Sequence, residues 1–466
     1  MYYISTRGSA PSLDFAGVLL AGLANDGGLY VPASWPQFSH EDLRSFRALS
    51  YPELAARVMQ PFVGADAVPP EVLLQLTHKA YAGFSHPAIA PMVQVDHDLW
   101  SMELFHGPTL AFKDMAMQLL GHLFDYVLGV RGEHITIVGA TSGDTGSAAI
   151  EACRDRKNVH AVILHPKGRT SDVQRRQMTT VHAPNIANIA VEGSFDDCQD
   201  LVKAMFADRA FRSELNLSAV NSINWARICA QIPYYVAAGL ALGAPDREVS
   251  FAVPTGNFGN VLAAWVAKKI GLPVARLIVG SNRNDILTRF LDHNDMSVHG
   301  VEPSLSPSMD IQISSNFERV LFELQGRDAA LTAKTMQDFR ATGRMQVAPE
   351  VWQRAHHQFR GLRLSDEETR SEIRHLAATS HYLADPHSAI GLAAARAHGL
   401  PGIPTVAMAT AHPAKFPDAM EQATGHRPAL PPHLTDLFER TESYQTAPND
   451  LATIQDMVRR FRFQNQ

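Results

Sequence analysis

The sequence predicts an α/β protein of two lobes, each with a parallel-type sheet flanked by helices, preceded by a mostly helical N-terminal region. Two observations predict this. A β-rich run, a glycine-bearing turn and a helical pattern follow one another at two separate places, and no fixed-period repeat, low-complexity tract or long linker interrupts the chain. At 466 residues the chain has room for two or three domains, and 45 % hydrophobic with 19 % charged residues is a globular composition, too apolar for a disordered chain.

In order, residues 1–90 are helix-like, with breaks at Pro32, Pro36, Pro69 and Pro70. A first lobe over 91–245 holds the buried-strand run His134–Val138, the turn GATSGDTG, a helical stretch from Ser147 towards Arg154 and a second strand over Val159–Leu164. That spacing suits a βαβ unit, whose parallel strands need a crossover of a dozen or more residues. A second lobe over 246–466 repeats the scheme with Val249–Val253, PTGNFGN and the helix-like VLAAWVAKKI, which Gly271 and Pro273 stop. Strands follow at Arg276–Val279 and Thr405–Ala409, and the chain between Leu321 and Tyr382 is expected to be mostly helical and polar-faced.

The sharpest local signal is HGPTLAFKDMAMQLLGHLFDYVLG. Ala116, Leu119, Leu120, Leu123, Phe124, Val127 and Leu128 recur at helical spacing, so Lys113 falls at the helix N-terminus behind Leu110, Ala111 and Phe112. The helix dipole and apolar neighbours both disfavour a charged amine there, and a neutral amine is the nucleophile that condenses with an aldehyde. The same pattern also reads as a surface lysine followed by a first-turn acid, Asp114.

Each glycine-rich turn aims backbone amides past a strand end, where anions bind. Thr141–Gly146 adds hydroxyls and suits a carboxylate or small phosphate, whereas Gly256–Asn260 suits close backbone approach to a phosphate. Neither is a nucleotide loop: Ser147-Ala148 follows Gly146 where a P-loop needs a lysine, and Gly139, Gly143 and Gly146 miss the dinucleotide spacing. A lysine for an aldehyde, one turn for its phosphate and another for a carboxylate are the parts of a pyridoxal-phosphate enzyme acting on an amino acid.

The net charge of −6, without a block of like charges, argues against a nucleic-acid partner. Apolar runs fall short of the roughly 20 residues that cross a bilayer, so no membrane partner is expected. The N-terminus shows no secretory pattern, and Cys153, Cys198 and Cys229 form no CxxC pair; a cytoplasmic protein is expected. No metal is expected either: His40-Glu41-Asp42-Leu43-Arg44 lacks the second histidine of a zinc helix, and adjacent His356 and His357 point to different helix faces. No obligate protein partner is evident. His106 and His412 stay open between ligand contact and turn capping.

The ordered motifs STRG (5–8), DGGLYVP (26–32), ELFHGPTLAFKD (103–114), SGDTG (142–146), QMTT (177–180), NSINWARI (221–228), PTGNFGN (254–260), SSNFER (314–319) and TAHPAKF (410–416) resemble the threonine synthase family, pyridoxal-phosphate enzymes of the tryptophan-synthase-β-like fold. The resemblance spans nearly the whole chain. It implies that Lys113 carries the cofactor and is the base for several proton steps, that Gly256, Asn257, Phe258, Gly259 and Asn260 bind its phosphate, and that Thr410 partners the pyridine nitrogen. Asp144 stands where related enzymes have an asparagine near the ring hydroxyl. Ser142 and Thr145 are implied to bind the substrate carboxylate. The implied reaction is a β,γ-replacement that turns O-phosphohomoserine and water into threonine and phosphate. Lys167 and Arg169, with Arg7 in reserve, are the candidate cations for the leaving phosphate, set against the usual solvated role of loop charges. The rivals are a phospho-lyase releasing 2-oxobutyrate, a serine or threonine dehydratase, and a cofactor-binding relative without turnover.

Overall fold

In a computed structural model, which describes residues 1–219 and 221–464, the chain forms two sheets of unequal size. The larger has six strands in the order Phe359–Arg363, Val274–Ser281, Val249–Pro254, Thr405–Ala409, Leu99–Glu103 and Met92–Asp96. Its first five strands run parallel, and Met92–Asp96 folds back antiparallel on Leu99–Glu103 as a hairpin edge. The second sheet has five parallel strands in the order Gln445–Pro448, Ile186–Glu192, Val159–Pro166, Ile135–Ala140 and Leu217–Ser218. Central strands such as Val159–Pro166 and Val249–Pro254 are buried at every residue, as expected where helices cover both faces.

The strand–turn–helix units lie where the periodicity puts them, with helices Asp144–Cys153 and Gly259–Lys269 after strands Ile135–Ala140 and Val249–Pro254. The N-terminal region carries helices Phe15–Ala21, His40–Phe46, Tyr51–Val63 and Pro70–Tyr81, plus a two-stranded pairing of Tyr3–Ser5 with Tyr30–Pro32. His40–Arg44 belongs to the second of these helices, which Ser39 caps and which buries only Leu43 and Phe46.

One expectation changes. The sheets do not follow a contiguous division at residues 245 and 246: Met92–Asp96 and Leu99–Glu103 belong to the six-stranded sheet, and Gln445–Pro448 extends the five-stranded one. Strand pairing is non-local, so a sheet takes members from either end of the chain, which local periodicity does not record. The stretch between Leu321 and Tyr382 is mostly helical, as expected, and within it Phe359–Arg363 joins the six-stranded sheet as an edge strand. With two arginines in five residues it shows none of the continuous apolar character of a central strand.

The helix Lys113–Arg131 packs very closely on Asp144–Cys153. A Cβ on Gly121 would stand 1.9 Å from the Ala152 carbonyl oxygen, so only glycine allows the approach. Among the described residues no helix is long and apolar enough to cross a membrane.

Candidate active site

Lys113 is the first residue of its helix, and Phe112, at the N-cap, supplies no side-chain cap. The segment leading in is fixed by a short backbone pairing with the end of strand Thr405–Ala409. The Phe112 amide donates to the Thr410 carbonyl at 2.8 Å, and the His412 amide donates to the Leu110 carbonyl at 3.0 Å. Leu110 adopts φ of 60° to make this turn, a left-handed strain that its burial against the core offsets. Lys113 and Thr410 are thereby brought side by side.

The Lys113 side chain is only 10 % exposed, and its Nζ lies 3.2 Å from Asp144 Oδ2 and 3.5 Å from Ser308 Oγ. Burial holds its amine below the usual lysine range; Asp144 pulls the other way, and Lys415 and Arg227 add to the lowering. The surface-lysine reading therefore does not describe this residue. Asp114 faces inward too: its carboxylate accepts from the Thr109 amide and hydroxyl at 2.8 and 2.7 Å, and burial pushes it up to about 6.

Asp144 opens the helix after the SGDTG turn. Burial alone would raise its carboxyl, but the ammonium groups of Lys415 and Lys113 hold it well below the usual carboxylate range. Lys415 Nζ sits 2.8 Å from Asp144 Oδ1, and Gln174 Nε2 donates to the same oxygen at 2.8 Å. The turn is closed by Thr141, whose hydroxyl accepts from the Gly143 and Gly146 amides, both at 2.9 Å. A Cβ on Gly143, at φ of 150°, would meet the Gln174 side chain at 2.4 Å. Ser142 is exposed and Thr145 half-buried on this turn, so both stand open to a ligand.

The second turn ends in Phe258, at φ of 62°, whose ring packs edge-on to Phe317 and Phe359 in compensation. Among the described residues none accepts a hydrogen bond from the amides of Gly256, Asn257, Phe258, Gly259 or Asn260. The turn is held from outside: Ser314 Oγ donates to the Gly256 carbonyl at 2.5 Å and Asn316 Nδ2 to the Asn257 carbonyl at 3.1 Å. Asn260 differs from its neighbours. Its Oδ1 accepts from both Tyr234 and Tyr235, while its buried Nδ2 has no partner. Amides without acceptors and an orphaned amide nitrogen, beside a buried lysine held towards its neutral form, fit a phosphorylated aldehyde such as pyridoxal phosphate.

Thr410 is supported from behind. Its amide donates to Ser388 Oγ at 3.0 Å, and Ser388 bonds to Asp385, which N-caps the helix Pro386–His398 and is fully buried. The same carboxylate binds His387 Nδ1 at 2.7 Å, while His387 Nε2 accepts from the Ser308 amide at 3.3 Å. One acid thus steadies both Thr410 and the serine that faces Lys113.

The three candidate cations for the leaving phosphate are not brought together. Lys167 is half exposed and pairs with Glu192 at 3.0 Å; Arg169 is exposed; Arg7 is committed to a buried two-pronged pairing with Glu318 at 2.8 and 3.0 Å. Arg227 is the cation the sequence reading missed. It is buried, its Nη1 has no partner among the described residues, and burial pushes its guanidinium down to about 10. It sits within NSINWARI, and its surroundings, not the motif, single it out. Ser308, Gln174 and Lys415 were missed as well. Only Lys415, within TAHPAKF, had a signal in the sequence. His412 Nδ1 accepts from the Ala414 amide as a turn cap, and His106 pairs with Glu103 at 2.7 Å.

Residues 2–81 match the threonine synthase N terminus, 85–345 the pyridoxal-phosphate dependent enzyme family, and 388–458 the threonine synthase C-terminal family. A threonine synthase of Pseudomonas aeruginosa is 54 % identical over 460 residues, covering 98 % of both chains. A crystal structure of PLP-bound threonine synthase from Brucella melitensis superposes with a TM-score of 0.98 at 51 % identity, and one of the yeast enzyme with 0.95 at 38 %, each covering 99 % of both chains. The chain belongs to the threonine synthase family of pyridoxal-phosphate-dependent lyases.

Proposed function

We propose that this enzyme converts O-phospho-L-homoserine and water to L-threonine and inorganic phosphate in the cytoplasm. The reading rests on the buried Lys113 amine, whose basicity is lowered further by the charge of buried Arg227, a guanidinium whose Nη1 has no partner among the described residues. A phosphorylated amino-acid substrate needs both. Three buried, unpaired cysteines support a reducing compartment.

When bound, pyridoxal phosphate supplies a carbonyl for the substrate amine and a conjugated ring that accepts electrons released at the α-carbon. Lys113 is the residue that would hold it, with the amides of Gly256–Asn260 at its phosphate, Thr410 at its ring nitrogen and Asp144 near its ring hydroxyl. Once free, the Lys113 amine is the group placed to take the substrate α-proton, and burial lowers its basicity in that position. Ser142 and Thr145, with the turn amides, orient the substrate carboxylate. Arg227 binds the phosphate that departs from the γ-carbon, where a fixed cation stabilises the charge that develops on the leaving group. Arg227 takes this role in place of Lys167, Arg169 and Arg7, whose charges are solvated or already paired.

The test is incubation of purified protein with O-phosphohomoserine, with threonine, 2-oxobutyrate and phosphate all quantified. Threonine and phosphate in equal amounts support the proposal, and Lys113→Ala should lose both turnover and borohydride-trapped cofactor. Release of 2-oxobutyrate in place of threonine would establish a phospho-lyase, and absence of turnover a binding relative.

A further inference from the structure

We propose that Lys415 is a positioning residue for proton transfer at Lys113: its buried ammonium is the standing counter-ion of Asp144, so that the Lys113 amine faces a carboxylate already paired. The inference rests on the functional reading above in taking Lys113 as the reacting amine.

Lys415 lies on the short turn Pro413–Lys415, just after Thr410, and its side chain is wholly excluded from solvent. Its Nζ donates to the Thr109 carbonyl at 2.6 Å and pairs with Asp144 Oδ1 at 2.8 Å. The other oxygen, Asp144 Oδ2, faces Lys113 Nζ at 3.2 Å. One carboxylate therefore bridges two buried ammonium groups, and Arg227 adds a third cation from the helix Trp225–Cys229. Excess buried positive charge is costly, and loss of one proton relieves it.

Geometry decides which lysine gives up its proton. Lys415 has two short contacts to oxygen, one to a carboxylate and one to a carbonyl. Lys113 has only longer ones, at 3.2 and 3.5 Å, and stands at the positive end of its own helix. Among the described residues no other group offers it an anion. Asp114, next on the same helix, is occupied by Thr109. Ser308, on the turn Pro307–Met309, is neutral, and behind it His387 is turned towards Asp385. The directions of the two shifts agree, with Lys113 held below the lysine range by burial, Lys415 and Arg227, and Asp144 kept an anion against its own burial.

The test reads Lys113 directly. Full-length apoprotein is exposed to pyridoxal with borohydride across the neutral and alkaline range, and label at Lys113 is measured by peptide mass. Removing the cation in Lys415→Met or Lys415→Gln should move the midpoint up by about one to two pH units, a tenfold or larger loss of label at fixed pH below it. Lys415→Arg, which keeps the charge, should restore the wild-type midpoint, a rescue that a merely structural role would not give. Asp144→Asn should move it the other way, because Lys415 and Arg227 are then unopposed, and this arm decides if the lysine variants do not fold. An unmoved midpoint in a folded Lys415→Met or Lys415→Gln protein, or a rise in Asp144→Asn, overturns the proposal. The labelling is independent of product identity: a shifted midpoint without threonine formation would sink the functional reading alone, and threonine formation with an unmoved midpoint would sink this one alone.

Discussion

Arg227→Met separates a ligand-binding arginine from a structural one. The guanidinium is buried, its Nη1 has no partner among the described residues, and burial pushes it down to about 10, well below the ordinary guanidinium range, so it remains a cation at neutral pH. At roughly 1.4 kcal/mol per tenfold, that fall corresponds to about 3 kcal/mol of unfavourable desolvation when no anion is bound. Methionine keeps much of the apolar stem and removes the charge, so ligand-free Arg227→Met should unfold at equal or higher denaturant than wild type. Inorganic phosphate, added to the holoenzyme at about 100 times its dissociation constant, should stabilise wild type by about 2.7 kcal/mol and the variant hardly at all. Hydrogen bonds to a charged partner are worth about 1.5–3 kcal/mol, so KM for O-phosphohomoserine should rise about tenfold to 150-fold. The assays are urea unfolding with and without phosphate, and initial rates against substrate. A variant that loses stability without ligand, yet keeps both its phosphate response and its KM, would refute the assignment.

Three further outcomes follow from the packing and charge. Gly121→Ala puts a Cβ 1.9 Å from the Ala152 carbonyl and must push helix Asp144–Cys153 away from Lys113–Arg131; a loss of about 1–3 kcal/mol in urea unfolding, with weakened cofactor retention from the displaced Asp144, is expected, and an unchanged midpoint would show that the helices part freely. Glu318→Ala strands Arg7, whose side chain is 12 % exposed, and should cost about 3–5 kcal/mol; a loss below about 1 kcal/mol would mean that water reaches the guanidinium. Asp114 is raised to about 6 by burial, so the folded protein holds its proton more tightly than the unfolded chain does. Its favourable contribution is complete below the ordinary carboxyl value near 3.8 and is lost as pH rises through about 6. Stability measured relative to Asp114→Asn should therefore fall by about 3 kcal/mol across that window, and a flat difference would exclude the shift.

The sequence by itself determined the local architecture. Alternating apolar runs and glycine turns located the strand–turn–helix units around Ser142–Gly146 and Gly256–Asn260, and 3.6-residue periodicity put Lys113 at a helix start, because each of these signals is complete within a few turns of chain. The motif order carried the family. Tertiary structure alone decided the electrostatics of the site: that Asp144 is shared by Lys113 and Lys415, that Arg7 is spent on Glu318 while Arg227 is left without a partner, and that strands from residues 92–103 and 445–448 cross between the lobes. The physical reason is range. A helix start or a tight turn is written in neighbouring residues, whereas the charge state of a buried group depends on which distant side chains and how little water the folded chain leaves around it.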